Sequence, residues 1–167
     1  MYDELTQVDI DKMKEEIHYR EHELRPKLLE ALKTARGFGD LSENFEYKSA
    51  KQDLRKCDSR LRYLRRMIAT AKVINVSNTS DAVQLFDRVE IYYEEDDETE
   101  EIQLMTTLRQ DALAGVISKE SPLGKAVMGK KVGDRCLVKA SDTYSYYVVI
   151  RSIKKGADDD SLPISTF

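Results

Sequence analysis

Asp40 and Glu43 are the residues whose type and spacing point most directly to chemistry in this chain. Two carboxylates three positions apart at the start of a helix admit two readings. One is a capping box, with Asp40 at the N-cap and Glu43 at the third helical position, each satisfying a free backbone donor. The other is a pair of hard oxygen ligands for Mg2+, an ion usually held by one or two carboxylates while waters and a substrate phosphate fill the rest of its shell. A site with so few protein ligands binds metal weakly by itself. No metal is therefore expected on the free protein, and a partner is needed to complete the shell.

The flanking sequence explains how such a pair would be presented. Upstream, apolar or small residues recur at Ile10, Met13, Ile17, Leu24, Leu28, Ala31 and Ala35; downstream they recur at Tyr47, Ala50, Leu54, Cys57, Leu61, Leu64, Ile68 and Ala71. The second series alternates steps of three and four, the seam of a coiled coil. Folding the two series back on each other pairs Ala35 with Tyr47, Leu24 with Cys57 and Ile10 with Ala71 about one point near residues 40–41. The pattern predicts an antiparallel helical hairpin over residues 1–75, with an acidic tip at 36–44. Each helix would be about 40–45 Å long at 1.5 Å per residue, the proportions of a probe. The first runs from Thr6 or Asp9 to Arg36, with a kink and a break in seam register at Pro26. Gly37 and Gly39 end it through positive φ. The second opens at Asp40 and ends near Val73.

Residues 76–82 read as a polar linker. Residues 83–155 then read as a small α+β domain with a mostly antiparallel sheet. Its expected strands are Val83–Tyr93 and Glu100–Leu108, joined by the acidic turn Glu94–Glu98, and Arg135–Ala140 and Tyr144–Ile153. Ser121-Pro122 opens a short helix that Gly129 closes. Residues 156–167 read as a flexible or loosely docked tail.

The 167 residues carry a net charge of −4, with 35% charged side chains. The halves differ: residues 1–75 hold 16 Lys/Arg against 14 Asp/Glu, while residues 76–167 hold 11 against 17. Nine bases lie between Lys48 and Lys72, with only Asp53 and Asp58 as acids. That basic side is either a solvated face partly paired with Glu15, Glu16, Glu21 and Glu23, or a contact for nucleic acid or an acidic protein surface. No apolar run approaches a membrane span, and the acidic start does not read as a signal peptide. Cys57 and Cys136 read as small buried residues of a cytoplasmic protein. His18 and His22 have a metal-compatible spacing but no third ligand, so they read as solvated. The cluster Tyr92, Tyr93, Tyr144, Tyr146 and Tyr147 reads as cross-strand packing in preference to an RNA-stacking surface.

Residues 35–51, Ala-Arg-Gly-Phe-Gly-Asp-Leu-Ser-Glu-Asn-Phe-Glu-Tyr-Lys-Ser-Ala-Lys, resemble the tip signature of the Gre transcript cleavage factors of bacterial RNA polymerase. Arg25-Pro26 and the stretch Ser121–Asp134 match as well, and the likeness spans residues 5 to about 153. It implies a coiled coil that enters the polymerase's secondary channel and a second domain, similar in fold to FK506-binding proteins, that docks near the channel rim. It implies that the factor is not an enzyme alone but activates the polymerase's own cleavage of a backtracked RNA 3′ end. By position, Asp40 and Glu43 match the family's metal-directing pair, which shares Mg2+ with the polymerase in the complex. Arg36, Ser42 and Asn44 match neighbouring tip positions, and Lys48 and Lys51 stand where contact with the nascent RNA 3′ end is expected. A cytoplasmic monomer with RNA polymerase as its partner is the resulting expectation.

Phe45 departs from the pattern by replacing a small residue, adding bulk at the tip. Some relatives keep the hairpin and inhibit polymerase by plugging its channel; the intact Asp40 and Glu43 favour cleavage. A coiled-coil adaptor with a basic nucleic-acid face is a third reading. Prolyl isomerase activity has no supporting sequence feature, since fold alone does not carry function.

Overall fold

A computed structural model describes residues 3–39, 44–76, 80–159 and 161–165. It contains two compact units. One spans Ile10–Ala71; the other joins Asp3–Asp9 to the chain from Lys72 onward. The short leading segment Asp3–Asp9 thus belongs with the sheet unit, where a linear division at residue 75 assigns it to the hairpin.

The hairpin's first arm consists of α1 (Gln7–Tyr19), a π-helical turn at Arg20–Leu24, and α2 (Arg25–Arg36). The π turn is the structural form of the expected disturbance at Pro26. Proline lacks an N–H and crowds the carbonyl four residues back. A widened turn just before it adds a residue and shifts the seam register; there the Arg25 N–H donates to the Arg20 carbonyl. The returning arm is α3 (Phe45–Thr70). Cross-arm contacts give the antiparallel sense: Asn44 reaches Ala35, Arg25 pairs with Asp58 and Arg60 with Glu16. Cys57, Leu61 and Leu64 of the seam are buried.

Several boundaries differ from expectation. The capping box sits at the beginning of α1: the Thr6 N–H donates to Asp9 Oδ2 at 3.1 Å, and the Asp9 N–H donates to Thr6 Oγ1 at 3.4 Å. Gly37 closes α2 at a φ of −73°, without left-handed backbone, whereas Gly39 does take a positive φ of 111°. Helix α3 stops at Thr70 because Lys72–Val73 form a strand, β2, pairing in parallel with β1 (Glu4–Leu5).

The second unit carries a five-stranded sheet in the order β5-β4-β3-β7-β6. Its strands are β3 (Arg88–Tyr93), β4 (Glu98–Met105), β5 (Val116–Ser118), β6 (Arg135–Lys139) and β7 (Ser145–Lys154). All neighbouring pairs are antiparallel except β4 with β5, so the sheet is mixed. One face packs with α4 (Pro122–Val127) around Val89, Ile91, Ile102, Leu104, Val127, Val148 and Ile150. Ser121 N-caps α4 as expected, accepting from the Gly124 N–H at 3.0 Å. A Cβ at Gly124 would lie 2.1 Å from the Ser118 carbonyl, so glycine lets α4 close onto β5.

Strand β3 begins at Arg88, five residues later than its alternation suggests. Asp87 is fully buried and accepts from the Gln84 N–H, the Gly156 N–H and Lys155 Nζ. These bonds fold residues 83–87 into a loop in which Phe86 has a φ of 76°. The same clamp starts the tail, which is docked, the second of its two expected states. Leu162 packs on the cluster of Leu85, Phe86, Met105 and Val116; Asp158 pairs with Arg109; and Ser165 bonds to Leu108 and Gln110. Among the described residues no helix is long and apolar enough to cross a membrane.

Candidate functional site

The hairpin tip is assembled by Asn44. Its side-chain oxygen accepts from the Tyr47 N–H at 3.0 Å and N-caps α3, while its side-chain amide donates to the Ala35 carbonyl at 2.6 Å. One side chain thus closes the last turn of α2 and the first turn of α3. Asn44 is thus the N-cap of α3, which begins at Phe45, five residues later than the expected opening at Asp40. The reading of Asp40 and Glu43 as a capping box falls on residues outside those described. Asp40, Ser42 and Glu43 themselves lie outside the described residues.

Arg36, Lys48 and Lys51, placed near the tip by sequence, are exposed on either side of this junction. The structure brings Arg36 and Lys51 together over one ring: both lie over Tyr47, at 5.7 and 5.9 Å from its centroid. Lys48 faces elsewhere, over the ring of Phe45 at 5.6 Å. The hydrogen bond from Arg36 draws the Tyr47 phenol below its ordinary range against the opposing effect of burial, and the Lys51, Arg36 and Arg55 charges add to the lowering. The tip's described part is therefore a cationic surface built on two aromatic rings, with Phe45 80% and Phe38 65% exposed.

Tyr47 and Phe38 are the site residues that sequence reasoning missed. Tyr47 falls on the apolar seam and reads as packing; the bases at plus four and at the end of the other arm were the available signal. Phe38 lies between two glycines, with no periodicity to interpret. Further down the hairpin, Arg60 forks the carboxylate of Glu16 at 3.0 and 3.1 Å, and Arg20 bonds it at 2.8 Å. Arg65 pairs with Glu21. The basic side is thus partly neutralised across the arms, through Glu16 and Glu21 among the four acids expected. The His18 and His22 rings lie 4.5 Å apart at a tilt of 46°, and among the described residues no cluster of three metal-ligating side chains exists.

The N-terminal domain model of transcription elongation factors GreA/GreB matches residues 4–73, and the C-terminal GreA/GreB domain model matches residues 78–155. This chain belongs to the GreA/GreB family of transcription elongation factors. The transcription elongation factor GreA of Mesoplasma florum is 37% identical over 136 residues, covering 81% of this chain and 87% of its own length. That of Mycoplasma capricolum is 36% identical over 152 residues, 90% of this chain and 96% of its own. Among solved structures, GreA factor homolog 1 of Thermus thermophilus aligns over 92% of this chain and 99% of its own, at 18% identity and a TM-score of 0.43. As a Gre-family member the chain is a transcription elongation factor with bacterial relatives.

Proposed function

We propose that this protein inserts its hairpin into the secondary channel of RNA polymerase and stimulates cleavage of the backtracked RNA 3′ end. The observation that carries this reading is the double role of Asn44. With the N-cap of α3 supplied by Asn44, the start of that helix does not depend on Asp40 or Glu43, which supports reading the two carboxylates as ligands. Two carboxylates are the hard donors that Mg2+ prefers, and this donor set suits a metal completed by a second protein. Asp40 and Glu43 would hold the ion, which when bound supplies charge stabilisation and an activated water for phosphodiester hydrolysis. Arg36, Lys48 and Lys51 draw the RNA phosphates to the tip and hold the 3′ end against it, and Ser42 lies between the two carboxylates in sequence. The protein is then not itself the nuclease; the polymerase active site is.

One observation favours a second reading, a channel plug that inhibits: Phe45 projects 80% exposed at the first position of α3. Cleavage by a stalled, backtracked elongation complex, with and without the protein, separates the two. The cleavage reading expects faster release of a 3′ fragment, lost in Asp40→Ala and Glu43→Ala while polymerase binding persists. Slowed elongation without fragment release, unchanged by either substitution, would overturn it in favour of the plug.

A further inference from the structure

We propose that the tyrosine ladder beside the acidic β3–β4 turn is a binding site for an arginine side chain of a protein partner. A cavity of about 90 Å³ is lined by Tyr93, Tyr144, Tyr146, Tyr147, Glu95 and Asp96. It is far below the size of a small-molecule pocket and suits the head of one side chain. Its floor is a row of rings: Tyr93 and Tyr146 lie 5.9 Å apart between centroids, and Tyr146 and Tyr144 5.8 Å apart. The rings are fixed by their hydroxyls, with Tyr93 donating to Glu100 at 2.8 Å and Tyr144 to Glu95 at 2.7 Å. Burial raises the Tyr93 phenol, and the Glu95 hydrogen bond raises that of Tyr144, so both rings stay neutral.

The molecule shows next door what such a surface binds. Arg135 lies 3.5 Å over the ring of Tyr147 and forks the Glu94 carboxylate at 2.7 and 2.8 Å. A guanidinium is planar, so it stacks on an aromatic face and engages a carboxylate through two parallel bonds at once; an ammonium does neither. One residue along the turn, Glu95 and Asp96 face Tyr144 and Tyr146 in the same combination of ring and carboxylate, and no basic residue lines that cavity. Asp96 has no ion pair among the described residues. The site therefore repeats the Arg135–Tyr147–Glu94 arrangement with the guanidinium left to come from outside. The cavity and the internal precedent carry the inference, which is independent of the cleavage reading; the acidic run Glu94–Glu98 adds charge complementarity.

The test is an NMR titration of the full-length protein with a capped Gly-Arg-Gly peptide, following the tyrosine ring signals. Its citrulline counterpart keeps the shape and loses the charge; its lysine counterpart keeps the charge and loses the plane. Saturable shifts at Tyr93, Tyr144 and Tyr146 are expected with arginine, with at least about tenfold weaker binding of citrulline and intermediate binding of lysine. Glu95→Gln and, separately, Tyr144→Leu at a half-exposed ring should each weaken the arginine peptide several-fold while the remaining amide spectrum is preserved. Equal shifts with arginine and citrulline, shifts confined to other acidic surfaces, or no saturable response would overturn the proposal.

Discussion

The hairpin and the sheet unit reach order by different routes. In the sheet unit, strands and α4 enclose an apolar interior, and a buried charge there is met by charges of the same unit. Arg109 is fully buried; its guanidinium meets Asp9 at 2.6 Å and Asp158 at 2.7 Å and lies over Phe86. In the hairpin, two arms have one narrow seam, and many cross-arm contacts are made by charged side chains at its margins. A two-helix probe cannot surround its own core, so its stability rests on local helix formation and a few bridging groups. The lesson is that damage should spread in the sheet unit and stay local in the hairpin. Substitutions in the two regions test that difference directly.

The largest effect is expected at Asp9. Asp9→Ala leaves the Arg109 charge buried beside a missing partner and removes the Thr6 capping interaction. The loss should be about 3–5 kcal/mol, read as a lowered midpoint in urea denaturation of the sheet unit. Tail docking at residues 158–165 should loosen with it, because Arg109 holds Asp158 and the Asp159 carbonyl. A loss below about 1 kcal/mol would show that the buried network contributes little. Next comes Leu104→Ala, at a side chain with no exposed surface in the sheet core. It should cost about 2–5 kcal/mol, cavity included, with m unchanged.

The hairpin counterpart is Asn44. Asn44→Ala should cost about 1–2 kcal/mol as a lost N-cap, visible as faster hydrogen exchange in the first turn of α3 and not in the sheet unit. Asn44→Asp keeps the acceptor for the Tyr47 N–H but removes the donor to the Ala35 carbonyl. It should preserve protection of α3 and loosen only the end of α2. Under the proposed function both variants slow cleavage, since both unfix the tip that carries Asp40 and Glu43. Exchange that rises throughout the protein would erase the distinction between the two regions.

How far the sequence carried follows the same division. The hairpin was legible because a seam of alternating threes and fours folds about one point, and helix contacts repeat a short local rule. The start of α3 was placed too early because Asp40 with Glu43 and Asn44 with Tyr47 both satisfy the spacing of a helix start; only the backbone tells that α3 begins at Phe45. In the sheet unit, β6, β7 and the Ser121 cap followed from alternation and turn residues. The early end of α3 and the pairing of β2 with Glu4–Leu5 did not, since parallel partners far apart in sequence leave no local mark. The loop at residues 83–87 defeats its own alternation because Asp87 collects three donors, two of them from residues 155 and 156. Nothing local marks Arg109 as buried, since its two aspartates lie 100 residues before it and 49 after.

The smallest expected effect concerns pH. Burial tends to raise the Glu16 carboxyl, but the hydrogen bonds from Arg60 and Arg20 outweigh it and hold the group below its ordinary value of 4.5. A carboxyl lowered in the folded state contributes stability that is fully present above its unfolded pKa and is lost as pH falls through the folded one. The hairpin should therefore keep this contribution at neutral pH and lose it only below about pH 4.5. Other carboxylates titrate nearby, so the comparison is with Glu16→Gln, which keeps the shape and cannot ionise. Helix unfolding followed by circular dichroism should show a gap between the two proteins at pH 7, below about 1 kcal/mol for a partly solvated bridge, closing as the pH drops. A gap that stays constant down to acid would mean that Glu16 supports the arms through its packing and neutral hydrogen bonds. The hairpin would then resemble the sheet unit more closely than its charged margins suggest.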